Sequence, residues 1–487
     1  MIDLVQNYWP HILAVLSFAL GIPAAIHAAM TKDDVRAAAG WVGVVLLSPI
    51  VGALIYAVGG INRIRRSSIG SQRALLQGQG PDQFGQFDVS ETDIAGRFEQ
   101  RFAAMKILGD RVSRHRMCAG NRIVVLSGGD DAYAAMLQEI VGAERSILVE
   151  SYIFDRDVIG LRFADALIAA VARGVEVRVL IDAVGARYSV PSIVGYLKDA
   201  GVPTAVFNGN IIIGLRLPYA NLRTHRKILV VDGRVAFAGG MNIRAGFTTE
   251  IAGDATAQDT HFRMVGPVVA DIFQVAAEDW QFSSGEVLAS DAWRIEEALS
   301  PVDSLSVLMR AVPSGPDATN ETNHKMLMGA FSVARKNIRI MSPYFLPDRE
   351  LISALVTAAR RGVEVDIIVP AVNNLLLVDR AMTAQFDQVL KGHCRVWRAK
   401  GAFNHSKLLT VDERWAYVGS TNLDPRSLRL NFEFDLEVLD DGFAQSISET
   451  ITQVLASAEP VTLELLRAKP FIDRLANRIL WLGSPYL

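Results

Sequence analysis

Hydrophobic positions follow three patterns along this chain, and each predicts a different kind of element. At the start they are nearly continuous. Leu4 to Met30 and Ala37 to Ile61 contain no Asp, Glu, Lys or Arg. Both runs exceed the roughly 20 apolar residues needed to cross a bilayer, so membrane spans over about 8–30 and 38–60 are predicted. Tyr8, Trp9, Trp41 and Tyr56 lie near their ends, as interfacial aromatics do. Pro23 and Pro49 are tolerable inside membrane helices. The connector at 31–36 is short, so the two spans form a hairpin covering residues 1–61. Met1-Ile2-Asp3 lacks the positive start of a signal peptide. Arg63, Arg65, Arg66 and Arg73 follow the second run, against Lys32 and Arg36 in the connector. Positive-inside bias then places the N-terminus, and everything after residue 62, in the cytoplasm.

The second pattern belongs to residues 62–120. Gln77 to Gln86 is rich in Gly and Gln and reads as linker. Asp93 to Leu108 has the spacing of a helix, which can pack on the main body or lie at the membrane surface.

Beyond Gly120 strand and helix signals alternate, and they do so twice. Ser146 to Phe154 reads as a strand, Arg162 to Ala172 as a helix stopped by Gly174, and Val175 to Ile181 as the next strand. Asn337 to Phe345, Leu351 to Arg361 with Gly362, and Val363 to Val369 repeat that order. The string Arg-Gly-Val-Glu-Val occurs at both 173–177 and 361–365, which marks equivalent βαβ units. Such units predict an α/β fold with a largely parallel sheet covered by helices, in two similar domains, 121–300 and 301–487. Near the C-terminus, Phe471, Ile472, Leu475, Ile479 and Leu480 have helical spacing, with Arg474 and Arg478 opposite.

Composition narrows the function. Half of the 487 residues are hydrophobic, and the formal charge of -3 offers no global basic field for nucleic acid. The two cysteines, Cys118 and Cys394, form no CxxC pair, so neither a disulfide framework nor a cysteine zinc site is expected. A reduced, cytoplasmic main body follows.

The chemistry sits in a duplicated motif. His225-x-Lys227-x4-Asp232 recurs 180 residues later as His405-x-Lys407-x4-Asp412. At the same offset Phe237 matches Tyr417, Gly239 matches Gly419, Gly240 matches Ser420 and Asn242 matches Asn422. Thr224 to Val231 and Asn404 to Val411 read as strands, on which residues two apart face the same way. Each His and its Lys therefore present together. Asp232-Gly233 is a hairpin signal. Each motif Asp thus sits at a turn, in a structural or supporting role. A lone histidine on a strand is ordinarily a satisfied core residue, but two copies in register make chance remote. A metal site is disfavoured, because a lysine beside each histidine repels a cation.

This set suits a phosphodiester. Ammonium groups neutralise the non-bridging oxygens as charge develops, and Asn242 and Asn422 can add neutral donors. One imidazole can attack phosphorus and form a phosphoryl-histidine, while the other moves the proton of the leaving and entering alcohols. Each role needs one histidine, so the two halves must meet at a shared cleft. An attacking histidine also needs an acceptor for its far ring nitrogen. Asp259 and Glu433, 34 and 28 residues after their respective histidines, are the candidates.

These residues resemble the phospholipase D superfamily with its paired HKD motifs. Four strings carry a narrower likeness: 219–233, Gly239-Gly-Met-Asn242, Ser342-Pro-Tyr-Phe-Leu-Pro-Asp348, and 419–433. The last, with the membrane hairpin, looks like the bacterial cardiolipin synthases. Pro425, where family members often have Met, and Glu413, where Gly is usual, depart from the pattern. The resemblance implies two pseudo-symmetric α-β-α sandwich domains behind the hairpin, in the bacterial inner membrane. It implies transphosphatidylation of two phosphatidylglycerol molecules to cardiolipin and glycerol, with no metal or organic cofactor. It makes His225 the nucleophile and His405 the acid/base. A membrane-bound phospholipase D hydrolase, a nucleic-acid phosphodiesterase and a non-catalytic membrane scaffold stay open as alternatives; charge and anchoring disfavour the nucleic-acid reading. Asn210 to Leu215, and a loop at Asn374 to Val378, are candidate linings of a lipid mouth.

Overall fold

The computed structural model describes residues 2–32, 34–60, 87–208, 222–295, 306–317 and 319–484. They fall into two compact units, an N-terminal helical one and a larger α/β one. The predicted linker at Gln77 to Gln86 and the candidate mouth segment Asn210 to Leu215 lie outside the described residues.

In the N-terminal unit the first apolar run is one helix, Ile2–Thr31, of which Tyr8–Thr31 is long and apolar enough to cross a membrane. Asp34 ends the connector by capping the next helix, accepting from the Arg36 amide at 2.7 Å. The second apolar run is not one helix. It breaks at Ser48 into Val35–Leu47 and Pro49–Ile55, followed by a π-turn at Tyr56–Gly60. Pro49 has no N–H for the ladder and its ring clashes with the preceding turn, so a helix can start at it but not run through it. The chain still folds back on itself. His27 and Tyr56 meet at 2.7 Å, Lys32 donates to the Gly60 carbonyl, and Gly21 leaves room for the Pro49 ring.

In the α/β unit the first half contributes strands β1 (Cys118–Ser127), β2 (Ser146–Ser151), β3 (Glu176–Asp182), β4 (Thr204–Phe207), β5 (Arg223–Thr224), β6 (Ile228–Val231), β7 (Val235–Gly239) and β8 (Thr260–Val265). The second contributes β9 (Val307–Ser314), β10 (Asn337–Met341), β11 (Glu364–Pro370), β12 (Arg395–Ala399), β13 (Leu408–Val411), β14 (Trp415–Gly419), β15 (Asn431–Leu439) and β16 (Glu459–Val461). One path runs β16-β12-β11-β10-β13-β14-β15-β9-β1-β8-β7-β6-β2-β3-β4, and β5 pairs off it with β15.

The sheet is mixed rather than largely parallel. The predicted βαβ units give parallel pairs β2–β3 and β10–β11, joined by helices Val158–Ala172 and Arg349–Arg360. Next to them, the motif hairpins β6–β7 and β13–β14 are antiparallel, as their three-residue turns require. The β1–β9 pair that joins the halves is antiparallel too, as is β15–β9 within the second half. Each half keeps its own core, around Phe163, Leu167 and Phe237 in the first and Leu355, Ile367 and Tyr417 in the second.

The segment before β1 forms two helices, Glu91–Arg97 with a Ser90 capping box and Gln100–Val112, instead of one. It packs on the body: Phe98, Phe102 and Met105 join the second core. Asp110 and Glu437 flank the buried Arg310 at 2.6 and 2.7 Å.

Candidate active site

The motif residues sit just ahead of strands rather than on them. β6 begins at Ile228 and β13 at Leu408, leaving 225–227 and 405–407 extended but unpaired within their own halves. Their backbone bonds go to the other half. The His225 amide donates to the Phe432 carbonyl at 2.8 Å, and the His405 amide to the Gln258 carbonyl at 2.7 Å. β5 runs parallel to the start of β15, and a single bridge joins Gln258 to Asn404. Each histidine is thereby stitched to the chain just before the acid of the opposite half.

The acids follow that stitching. His225 Nδ1 meets Glu433 Oε2 at 2.9 Å, and His405 Nδ1 meets Asp259 Oδ2 at 2.8 Å. The expected partners are therefore exchanged: neither carboxylate serves the histidine of its own half. All four groups are buried. Glu433 also accepts from Ser420 Oγ at 2.6 Å and Asn431 Nδ2 at 3.2 Å, and Asp259 from the Thr260 amide at 2.7 Å. The small residue after each motif has its reason here. A Cβ on Gly240 would lie 2.4 Å from Asp259 Oδ1, while at the matching position Ser420 donates to Glu433.

Burial pushes both carboxylates up, but the facing lysines and the hydrogen-bonding histidines outweigh it and hold them below the usual carboxylate range. Lys407 and His405 act on Asp259, and His225 and Lys227 on Glu433. Burial pushes His225 down despite Glu433, and pushes His405, with help from Lys407, down to about 4. Both imidazoles are neutral near pH 7. With Nδ1–H donated to a carboxylate, Nε2 carries the lone pair. Lys407 Nζ also lies 2.9 Å from His405 Nδ1, but that nitrogen cannot accept while it donates to Asp259. The ammonium bonds the His405 carbonyl instead, as Lys227 bonds the His225 carbonyl at 2.6 Å. Burial lowers Lys227 to about 7 and Lys407 to about 8, each also feeling charges from the other half.

Both histidines line one cavity of about 390 Å³, with Asn242 and Asn422. The Ile153 amide occupies Asn242 Oδ1 at 3.1 Å, so its NH2 is the end left to donate. Asp232 and Asp412 do not line it. Asp232 accepts from the amides of Glu144, Arg145 and Ser146 at 2.8–3.1 Å. Asp412 accepts from those of Arg335, Lys336 and Asn337 at 2.7–3.0 Å and pairs with Arg101. Each takes a left-handed backbone, φ +55°, and pins its motif hairpin to the start of β2 or β10. Glu413 shares that conformation at φ +56°, where Gly233 in the first half adopts it freely, and pairs with Arg339 at 2.9 Å.

A family model described as cardiolipin synthase, PLD-like domain, matches residues 136–250 and 327–455, one motif in each stretch. A cardiolipin synthase of Alkalihalophilus pseudofirmus is 31% identical over 92% of this chain and 88% of its own length. Cardiolipin synthase A of Pseudomonas fluorescens is 30% identical over 99% of this chain and 100% of its own. The chain belongs to the cardiolipin synthase family. A phosphatidylserine synthase from Haemophilus influenzae shares its fold, with a TM-score of 0.60 at 17% identity over 79% of this chain and 100% of that one.

For this family member the structure adds cavity residues that motif reasoning passed over. Tyr152 packs on His225 with ring centroids 5.1 Å apart, and Tyr344 on His405 at 6.4 Å. Both follow the first strand of a βαβ unit, a shared position that could have signalled them. Arg223, Arg244 and Arg426 also line the cavity. Leu375, from the predicted mouth loop, lines it as well; that loop is short, and a helix, Leu376–Leu390, starts within it. Leu375, Leu376 and Leu377 are exposed.

Proposed function

We propose that this chain is a membrane-bound phosphatidyltransferase that makes cardiolipin and glycerol from two molecules of phosphatidylglycerol. The observation that carries the reading is the pair of histidines on one cavity, each braced by an acid from the opposite half, in a member of the cardiolipin synthase family. His225 Nε2 attacks the phosphorus of the first lipid. A P–N bond forms, the P–O bond to glycerol breaks, and the departing alkoxide takes its proton from His405 Nε2. The phosphodiester's negative charge raises His405, so that it carries this proton once substrate is bound. Glu433 stabilises the positive phosphatidyl-imidazole. His405 then removes the proton from a hydroxyl of the second phosphatidylglycerol, whose oxygen attacks phosphorus and releases His225. Lys227, Lys407, Asn242 and Asn422 stabilise the charge on the non-bridging oxygens. Asp232 and Asp412 position the motifs.

The cavity has the volume of a small-molecule site, so it admits the phosphoglycerol head and leaves the acyl chains outside. The exposed Leu375–Leu377 rim suits chains that remain in the bilayer. The N-terminal helices form the membrane anchor of a bacterial inner-membrane protein, with the α/β unit on the cytoplasmic side as the arginines after residue 62 favour. The α/β unit is read as two pseudo-symmetric α-β-α lobes, 121–300 and 301–487, which the repeated strand order supports.

Purified full-length protein in vesicles containing labelled phosphatidylglycerol tests the reaction. Cardiolipin and glycerol as products support it. Phosphatidic acid would make the chain a hydrolase, and no lipid turnover would remove the catalytic reading.

A further inference from the structure

The C-terminal helix, Phe471–Leu482, has two distinct faces. One packs on the helix Leu376–Leu390. Asn477 is buried there, Leu480 and Trp481 pack against the second core, and Arg478 pairs with Asp387 at 2.9 Å. The other face is apolar and uncovered. Phe471, Ile472, Leu475, Ile479 and Leu482 are 68, 69, 42, 59 and 72% exposed. At 3.6 residues per turn these five fall within roughly a 100° sector; Arg474 and Arg478 flank one side of it rather than lying opposite, and Leu480 falls on the packed face.

A cavity of about 400 Å³ opens beside this stripe, between Leu376–Leu390, the short helix Leu463–Ala468 and the C-terminal helix. Its lining includes Lys391, Arg467, Lys469, Arg474 and Arg478. Lys391 and Arg478 are both engaged by Asp387, at 3.0 and 2.9 Å. Among the described residues Lys469 and Arg474 form no ion pair, and Arg467 has only an attraction to the exposed Glu464. Asp387, Glu464 and Asp473 are the acids nearby in sequence or contact, so cations predominate.

We infer that this face is a docking site for an anionic phospholipid bilayer, separate from the catalytic cleft. Lipid phosphates sit at Arg467, Lys469 and Arg474, while Phe471, Ile472, Leu475, Ile479 and Leu482 enter the acyl boundary. Two features select a bilayer over a soluble anion or a protein. A free phosphate has no use for an apolar stripe, and the cations border the stripe instead of interrupting it. That is the charge pattern of a helix lying in the plane of a membrane interface. Arg478 and Asn477 fix the helix to the domain, so docking needs no refolding.

The test uses the full-length chain carrying His225→Ala, so that no result depends on turnover. Cys118 and Cys394 are buried, so a thiol introduced as Ile472→Cys takes a nitroxide label selectively. Its accessibility to oxygen and to an aqueous nickel reagent is read in nanodiscs of phosphatidylcholine alone, of phosphatidylcholine with phosphatidylglycerol, and of phosphatidylcholine with inorganic phosphate in the buffer. The expected result is a several-fold rise in the oxygen-to-nickel ratio only in the discs containing phosphatidylglycerol. Arg467→Glu, Lys469→Glu and Arg474→Glu together should abolish it, and the corresponding Gln variants should weaken it with the melting temperature retained. A label that stays aqueous in every disc overturns the inference. So does equal insertion in neutral discs, a response to free phosphate alone, or protection already present in detergent, which would mean that protein covers the stripe.

Discussion

The exchange of acids between halves makes a prediction that no within-half arrangement shares. Glu433→Gln leaves the shape of the site but removes the charge opposite His225. The two partners approach to 2.9 Å, and at a charge separation of about 4 Å with an effective dielectric near 20 the lost attraction is about 4 kcal/mol. At 1.36 kcal/mol per decade that is about a thousandfold in the rate of forming the phosphatidyl-imidazole. The substituted amide can also donate to Nδ1, which moves the proton to Nε2 and removes the attacking lone pair, so a loss of about 10³–10⁴ is expected. An activated phosphodiester with a p-nitrophenol leaving group separates the two histidines, because that group departs without a proton. With it, Asp259→Asn and His405→Ala should still release a burst of p-nitrophenol, one per active site, whereas Glu433→Gln and His225→Ala should not. Melting curves establish that each variant is folded. A wild-type burst in Glu433→Gln together with a lost burst in Asp259→Asn would refute the reasoning, since His225 would then be braced from within its own half.

Four further outcomes are expected. Lys227 and Lys407 work as cations, so the activity they support is present below their pKa values and lost above them; kcat/KM should fall above a pH of about 7 and more steeply above about 8, and a flat profile across that interval contradicts the role given to them. Asp412→Asn breaks a buried pair with Arg101 and weakens three amide contacts, at a cost of about 3 kcal/mol that chemical denaturation should read as lost stability. Arg426 lines the cavity outside the two motifs, and we assign it to the acceptor's phosphate, so Arg426→Ala should raise KM for phosphatidylglycerol about tenfold, about 1.4 kcal/mol, with little effect on a neutral alcohol acceptor. Leu376 is 66% exposed beside the cavity residue Leu375, so Leu376→Asp should slow turnover of lipid in vesicles while sparing a soluble phosphodiester; equal effects on both would remove the mouth from the mechanism.

Local pattern was enough to reveal a good deal of this protein. The duplicated His-x-Lys pairs, the βαβ units around Arg-Gly-Val-Glu-Val, the turns at Asp232 and Asp412 and the apolar N-terminus are all set within a few residues of chain, where spacing reports which side a residue faces. Gly240 and Ser420 stood out as small positions, and Asp259 and Glu433 as acceptors, but which histidine each acid would meet did not. Longer-range pairing was not written there. His225 and Glu433 are 208 residues apart and His405 and Asp259 are 146 apart, and they meet only because the backbone ahead of each motif bonds to the opposite half. Such bonds use N–H and C=O groups that every residue carries, so no side-chain spacing betrays them. The same holds for the mixed sheet, whose antiparallel β1–β9 seam joins segments nearly two hundred residues apart. Sequence thus named the reacting groups, and only folding decided which acid holds which imidazole, because that choice belongs to backbone pairing between the halves.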